Sequence, residues 1–269
     1  MSASRYTDCG MATSTGGEGV TLHILHTNDF HNCLRDDGAA RLRAAVAGLD
    51  GAPYLLLDAG DAIKAGNVGV SPFGEPILAR MSDLGYHAMT MGNREFHVWK
   101  GALDKKIADA RFPILCANIR ARREGASLPV VPLARVETGG LRVVVIGVTV
   151  PMVTERMKVA ALSSFVFDDP VAVAGRLVAE QRWGADVLIA LTHIGLRDDR
   201  RLAAAVPGID LIIGGHTHAT LETPEIVSGT PLVQVGAHAH SYGHVVLSVD
   251  ASGVTVRTAE VLPLQRERA

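Results

Sequence analysis

His216 and His218 stand one residue apart at the end of an apolar run broken by Gly214 and Gly215. A strand that delivers imidazoles to its own C-terminal rim can hold a metal ion, because neutral imidazole nitrogen is a common transition-metal ligand. The same grammar recurs upstream at Asp29-Phe30-His31, Gly60-Asp61, Gly92-Asn93 and His193, each a polar side chain just past an apolar stretch. Taken singly these are commonplace: Gly-Asp and Gly-Asn are turn pairs, and one histidine after a strand is usually structural. Together they assemble carboxylate, imidazole and amide oxygen. That mixture suits Mn, Fe, Zn or Co better than calcium, which takes oxygen only, or structural zinc, which favours thiolate. Seven candidate ligands exceed what one ion takes. Two divalent ions sharing one carboxylate, about 3.5–4 Å apart, account for them, with manganese the first choice.

The segments that must position these residues alternate in period. Residues 21–27, 54–57, 87–91, 113–117, 141–148, 187–191 and 211–213 read as short apolar strands. Between them, residues 39–49 carry Leu42, Val46 and Leu49 at helical spacing, and Pro76 opens a helix with Ile77, Met81 and Leu84 on one face before Gly85. Residues 98–110, 200–206 and the stretch from Asp169-Pro170 to Trp183 complete the helical set, with Asp169 as an N-cap. Such alternation predicts an α/β fold with helices covering sheet faces. Residues 232–235, 243–249 and 254–261 follow with only short turn-rich links, which predicts antiparallel hairpins. Residues 151–164 read equally as a loop over the site or an ordinary connection. His23 and His26 read as packed core histidines within the first strand, and Cys33 as a small buried residue.

Composition narrows the function classes. The 269 residues are 48% apolar and 20% charged, enough for one sizeable core, and a formal net charge of −2 leaves no basic surplus for a nucleic-acid polymer or a membrane surface. No apolar run approaches the roughly 20 residues of a membrane-spanning helix. Residues 1–20, rich in Ser, Thr and Gly, lack the apolar core of a secretory signal and read as a flexible tail ahead of one domain over 21–269. Cys9, Cys33 and Cys116 are odd in number and far apart, which disfavours a disulfide framework and sets the expectation of a cytoplasmic protein. The oligomeric state has no signature.

At the candidate ligands the sequence resembles the calcineurin-like metallophosphoesterases, and within them the 5'-nucleotidase and UDP-sugar hydrolase branch. The matching runs are His26-Thr27-Asn28-Asp29-Phe30-His31, Asp58-Ala59-Gly60-Asp61, Gly92-Asn93-Arg94-Glu95-Phe96, Leu191-Thr192-His193 and Gly214-Gly215-His216-Thr217-His218, in the family's order. The resemblance implies a four-layer α/β/β/α sandwich with the site at the C-terminal ends of the central strands. It implies Asp29, His31 and His218 on one ion, Asn93, His193 and His216 on the other, and Asp61 between them. It also implies hydrolysis of a small phosphomonoester or a phosphodiester, cyclic ones included, by a hydroxide held between the ions. Asn28 and Glu95 are expected to orient ligands or their loops.

Two departures from the family pattern matter. The motif normally reads Gly-Asn-His-Glu, where the histidine serves as leaving-group acid or phosphate ligand, and this chain has Arg94 there. A guanidinium cannot act as that acid, though it can clamp a phosphate through two parallel hydrogen bonds. Candidates to compensate are His97, which would share a face with Arg94 if a helix began there, and His238 and His240, which follow a late segment that in the family returns to the rim. Each is a candidate acid or substrate ligand, with a plain surface histidine as the other reading. Secondly, relatives of this branch carry a C-terminal domain that supplies the nucleoside pocket, the chain is expected to hold the catalytic domain alone, and 4% aromatic residues offer little for base stacking. Alternative readings are a catalytically weak homologue that binds a phosphorylated ligand as sensor or partner, or a hydrolase of a non-phosphate ester at the same metals.

Overall fold

The computed structural model describes residues 19–67 and 69–265. All but the last two residues of the expected N-terminal tail lie outside them, and Val20 already belongs to the first strand. In chain order the first half holds β1 (Val20–Thr27), α1 (Asp36–Ala47), β2 (Tyr54–Asp58), α2 (Pro76–Asp83), β3 (Ala88–Thr90), α3 (Lys100–Ile107), β4 (Ile114–Leu115), β5 (Ile119–Ala121) and β6 (Leu133–Thr138). Then come β7 (Leu141–Thr149), β8 (Phe165–Phe167), α4 (Pro170–Gln181), β9 (Val187–His193), α5 (Leu196–Ala205), β10 (Leu211–Ile213), β11 (Glu225–Val227), β12 (Thr230–Val233), β13 (Ser241–Asp250) and β14 (Gly253–Pro263).

Two six-stranded sheets form the centre, in the orders β14-β13-β1-β2-β3-β4 and β11-β12-β10-β9-β7-β6. Strand periodicity explains how they stack. Leu22, Ile24, Leu55 and Leu57 face Val143, Val145, Val187, Ile189 and Leu191 in a core between the sheets. The alternate residues of the same strands point outward: Leu25 and Leu56 pack under α1, α2 and α3, while Val144, Ile146, Leu188 and Ala190 pack under α4 and α5. Three core layers separated by two sheets make the four-layer α/β/β/α sandwich that the family resemblance implies. Gly147 lies on the inter-sheet face where a Cβ would collide with Leu115, so the close approach of the sheets there requires a residue without a side chain.

Three sequence expectations are corrected. The helix expected over 98–110 begins only at Lys100, and residues 93–95 form a turn, so Arg94 and His97 do not share a helical face. The strand expected at 232–235 does not pair with the strands that follow it; β12 lies parallel to β10 in one sheet and makes its hairpin with β11, while β13 and β14 make theirs in the other sheet. The expected start of the fifth helix at residue 200 is Leu196 instead, which brings Asp198 and Asp199 into its first turn. Elsewhere the register holds, including Asp169, whose side chain accepts from Ala172 N–H at 2.9 Å as the cap of α4.

Candidate metal centre

The parallel strands β1, β2, β3 and β9, β10, β12 end along one rim, and their succeeding loops carry every expected ligand. Asp29 and His31 follow β1, Asp61 follows β2, Asn93 follows β3, His193 ends β9, and His216 and His218 follow β10. Asp29, His31, Asp61, His216 and His218 all hold left-handed backbone, with φ between 48° and 77°. That conformation is uncommon for residues with a side chain and concentrates at functional sites, where surrounding hydrogen bonds impose it. Here Glu95 imposes part of it: the carboxylate is fully buried and accepts from the N–H groups of Asp61, Ala62, Ile63 and Gly92. Asn28 imposes another part, donating to Asp29 Oδ2 at 2.8 Å and to Gly236 O, and accepting from Val235 N–H. It orients a carboxylate and a loop rather than an imidazole.

The ligand atoms converge in two sets. Asp29 Oδ1 lies 3.6 Å from His31 Nε2 and 3.4 Å from His218 Nε2. Asn93 Oδ1 lies 2.9 Å from His216 Nδ1 and 3.3 Å from His193 Nε2. Asp61 belongs to both: Oδ2 is 3.6 Å from His31 Nε2 and Oδ1 is 3.5 Å from His193 Nε2. Two ligands each about 2.0–2.2 Å from one ion stand about 3–3.5 Å apart, which is the spacing seen. Asp29 Oδ1 and His31 Nε2 are buried and have no hydrogen-bond partner, as atoms that face a cation would be. The residues therefore fit a pair of divalent ions. The groups Asp29, His31, His218 and Asp29, Asp61, His193 each bring three ligand atoms within 4.8 Å of one another.

Electrostatics agree. Burial alone would raise the Asp29 carboxyl, yet the His31 imidazole beside it, the nearby His193 and the Asn28 hydrogen bond hold it below the usual carboxylate range. Burial likewise opposes charge on His193, but the Asp61 hydrogen bond and the Asp61 and Asp29 charges lift it to about 9. Its Nδ1 donates to Ala59 O at 2.7 Å, which turns Nε2 into the centre.

The candidates beyond the ligand set divide. Arg94 lies over the centre, Nε 3.6 Å from Asp61 Oδ2, with Nη1 donating to Lys64 O. The His238 ring packs edge-on against His31 and His218, at centroid distances of 4.8 and 5.6 Å, and its backbone N–H donates to Asp29 O. His240 stands one ring further out, 6.2 Å from His238. His97 is buried, its Nδ1 accepts from Trp99 N–H, and its ring packs on Trp99. Cys33 is half-buried rather than buried, with Sγ 3.8 Å from His238 Nδ1. Residues 151–164 run from the rim back to Val98, where Ser164 N–H donates to Val98 O, and so close behind the Asn93 loop.

Sequence reasoning missed Asp199 and Gln234. Asp199 is fully buried beneath the histidine loop and accepts from the hydroxyl of Thr192, the neighbour of His193. Gln234 Oε1 accepts from the Thr217 hydroxyl, between His216 and His218. The signal for Asp199 was available: it shares the apolar face of α5 with Leu202 and Ala203, where a carboxylate needs a reason.

Residues 22–220 match the family model described as calcineurin-like phosphoesterase. The chain is 30% identical over 297 residues to the snake venom 5'-nucleotidase of Gloydius brevicauda, covering 92% of this chain and 48% of that protein. It is 31% identical over 281 residues to the 5'-nucleotidase of Rattus norvegicus, covering 87% and 47%. A solved 5'-nucleotidase precursor from Thermus thermophilus superposes with a TM-score of 0.75 at 28% identity, over 90% of this chain and 54% of that one. The chain spans about half the length of the curated relatives it matches.

Proposed function

This chain belongs to the calcineurin-like phosphoesterase family, and from that premise we propose that it hydrolyses a small phosphate ester, mono- or diester, at two divalent ions. The observation that carries the reading is Asp61, whose two carboxylate oxygens face two separate sets of ligand atoms. Asp29, His31 and His218 would hold one ion, Asn93, His193 and His216 the other, and Asp61 would serve both. The donor mixture fits Mn, Fe, Zn or Co, with manganese the first to try. Bound there, the ions would supply Lewis acidity toward phosphoryl oxygens and lower the pKa of a bound water toward neutrality.

The chain's own groups do the rest. Arg94 offers the N–H groups that Lys64 and Asp61 leave free to the phosphoryl oxygens, adding fixed positive charge where negative charge grows. It cannot protonate the departing oxygen, so that task falls to a histidine at the rim, and His238 stands nearer than His240. Glu95 and Asn28 hold the Asp61 and Asp29 loops against the pull of the ions.

The test is a panel assay of the Mn-loaded protein on p-nitrophenyl phosphate, bis-p-nitrophenyl phosphate and nucleotides. Turnover is expected for at least one; none, with metal content verified, sinks the reading. The Arg94 to Asp61 contact favours one alternative, a weak homologue that retains a phosphorylated ligand as a sensor. Thermal stabilisation by such a ligand without turnover would select it.

A further inference from the structure

A groove of about 390 Å³ runs beside the metal centre, lined in part by Asn32, Lys64, Ser71 and Glu75. Two of its lining residues adjoin the centre: Asn32 follows His31, and Lys64 gives its carbonyl to Arg94 Nη1 at 3.1 Å. Glu75 is the unusual member. It is 2% exposed, its Oε2 accepts from Lys64 N–H at 3.3 Å, and its Oε1 has no hydrogen-bond partner. A buried carboxylate oxygen left unpaired is costly, so a ligand that brings a donor to it is favoured.

The wall is held by contacts independent of the metal ligands. Lys106, 1% exposed, donates Nζ to Gly66 O at 2.8 Å and to Phe96 O at 3.0 Å. Asp109 accepts from Glu75 N–H at 2.6 Å, and a side chain at Gly74, where φ is +79°, would collide with that same carboxylate. Carboxylate, amide, hydroxyl and ammonium groups thus share one small space, and no aromatic residue is among those that line it in the described structure. Phe73, on the same segment, points to solvent, 91% exposed. A nucleobase finds no face to stack on there. An alcohol with several hydroxyls can donate to Glu75 and accept from Asn32 or Lys64 at the same time.

We propose that this groove is the subsite for the leaving alcohol of the phosphate ester, that Glu75 accepts a hydrogen bond from one of its hydroxyls, and that the preferred alcohol is a polyol or sugar. The proposal rests on the phosphoesterase reading. The experiment has a kinetic arm and a binding arm, both on the full chain. In the kinetic arm the ratio of kcat/KM for ribose 5-phosphate to that for p-nitrophenyl phosphate falls about 10-fold in Glu75→Gln, mainly through KM, and by about 3-fold in Asn32→Ala on the outer wall. In the binding arm, saturation-transfer NMR of the Zn-loaded protein detects ribitol, and Glu75→Gln weakens the signal. Glu75→Gln is isosteric, and Asn32→Ala is exposed, so neither should prevent folding. An unchanged ratio together with an unchanged ribitol signal overturns the proposal. So does binding of adenosine but not ribitol, lost in Phe73→Ala, which would assign the face to a base. If ribitol binding follows Glu75 but no phosphate ester is turned over, polyol binding at Glu75 stands, while the phosphoesterase reading and the leaving-alcohol role fall together.

Discussion

The residue that distinguishes this centre from its family pattern is Arg94, a permanent cation 3.6 Å from the carboxylate that two ligand sets share. It leaves the leaving-group proton to His238, so loss of that imidazole should matter most where the leaving group is poor. His238→Ala is expected to lower kcat for alkyl phosphates by about 10²-fold or more, and for p-nitrophenyl phosphate least. Steady-state rates on both substrates check this, and an equal change on both would count against it. His193 makes a second prediction. With its conjugate acid lifted to about 9 in the metal-free chain, it holds a proton that an incoming ion has to displace. Metal affinity should therefore rise with pH up to about 9. Calorimetry in buffers of differing ionisation enthalpy would read the released proton. The ligands were legible in the sequence because side-chain type and chain order sufficed to name them. The shared face expected for Arg94 and His97 was misjudged because it rested on a helix that starts six residues after Arg94.

At the scale of elements, the site depends on loops bent into unfavourable backbone at the strand ends. Gly92 shows how little slack they have: a Cβ there would collide with Asp61 Oδ1 and N. Gly92→Ala is expected to lower metal affinity about 10- to 100-fold by displacing Asp61, measurable by metal titration, while leaving far-UV circular dichroism unchanged. Far from the site, Asp169→Ala removes the N-cap of α4 and should cost about 1 kcal/mol in denaturant unfolding with the m-value unchanged. Long buried strands and capped helices announce themselves by period and end signals. The elements that the sequence concealed are β5, β8 and β11, three residues each, and β6, where Arg135 and Glu137 interrupt the apolar pattern along a sheet edge. Their structure comes from a partner strand, which local pattern does not describe.

For the whole molecule, the sandwich places two sheets back to back so that the ends of β1, β2, β3, β9 and β10 meet along one rim, and buries polar groups beneath it. Burial pushes the Asp199 carboxyl up to about 7 against the ordinary 3.8. Between those values the folded chain holds a proton that the unfolded chain has lost, so this group makes stability fall as pH rises from about 4 to about 7. Asp199→Asn should flatten that decline, as urea midpoints across the range would reveal. A parallel slope in the variant would refute it. Saturating metal should stabilise the chain by about 2.7 kcal/mol at a hundredfold excess over Kd, reversed by chelator. No helix among the described residues is long and apolar enough to cross a membrane. The sequence by itself determined the family, the α/β class and which seven side chains can bind metal, because those follow from residue types, their order and strand period. Only the tertiary structure decided how closely the two ligand sets approach Asp61, that Arg94 and His238 lie against them while His97 packs on Trp99, and that Glu75 lies buried in the neighbouring groove. Those are distances between residues far apart in the chain, set by how the two sheets stack.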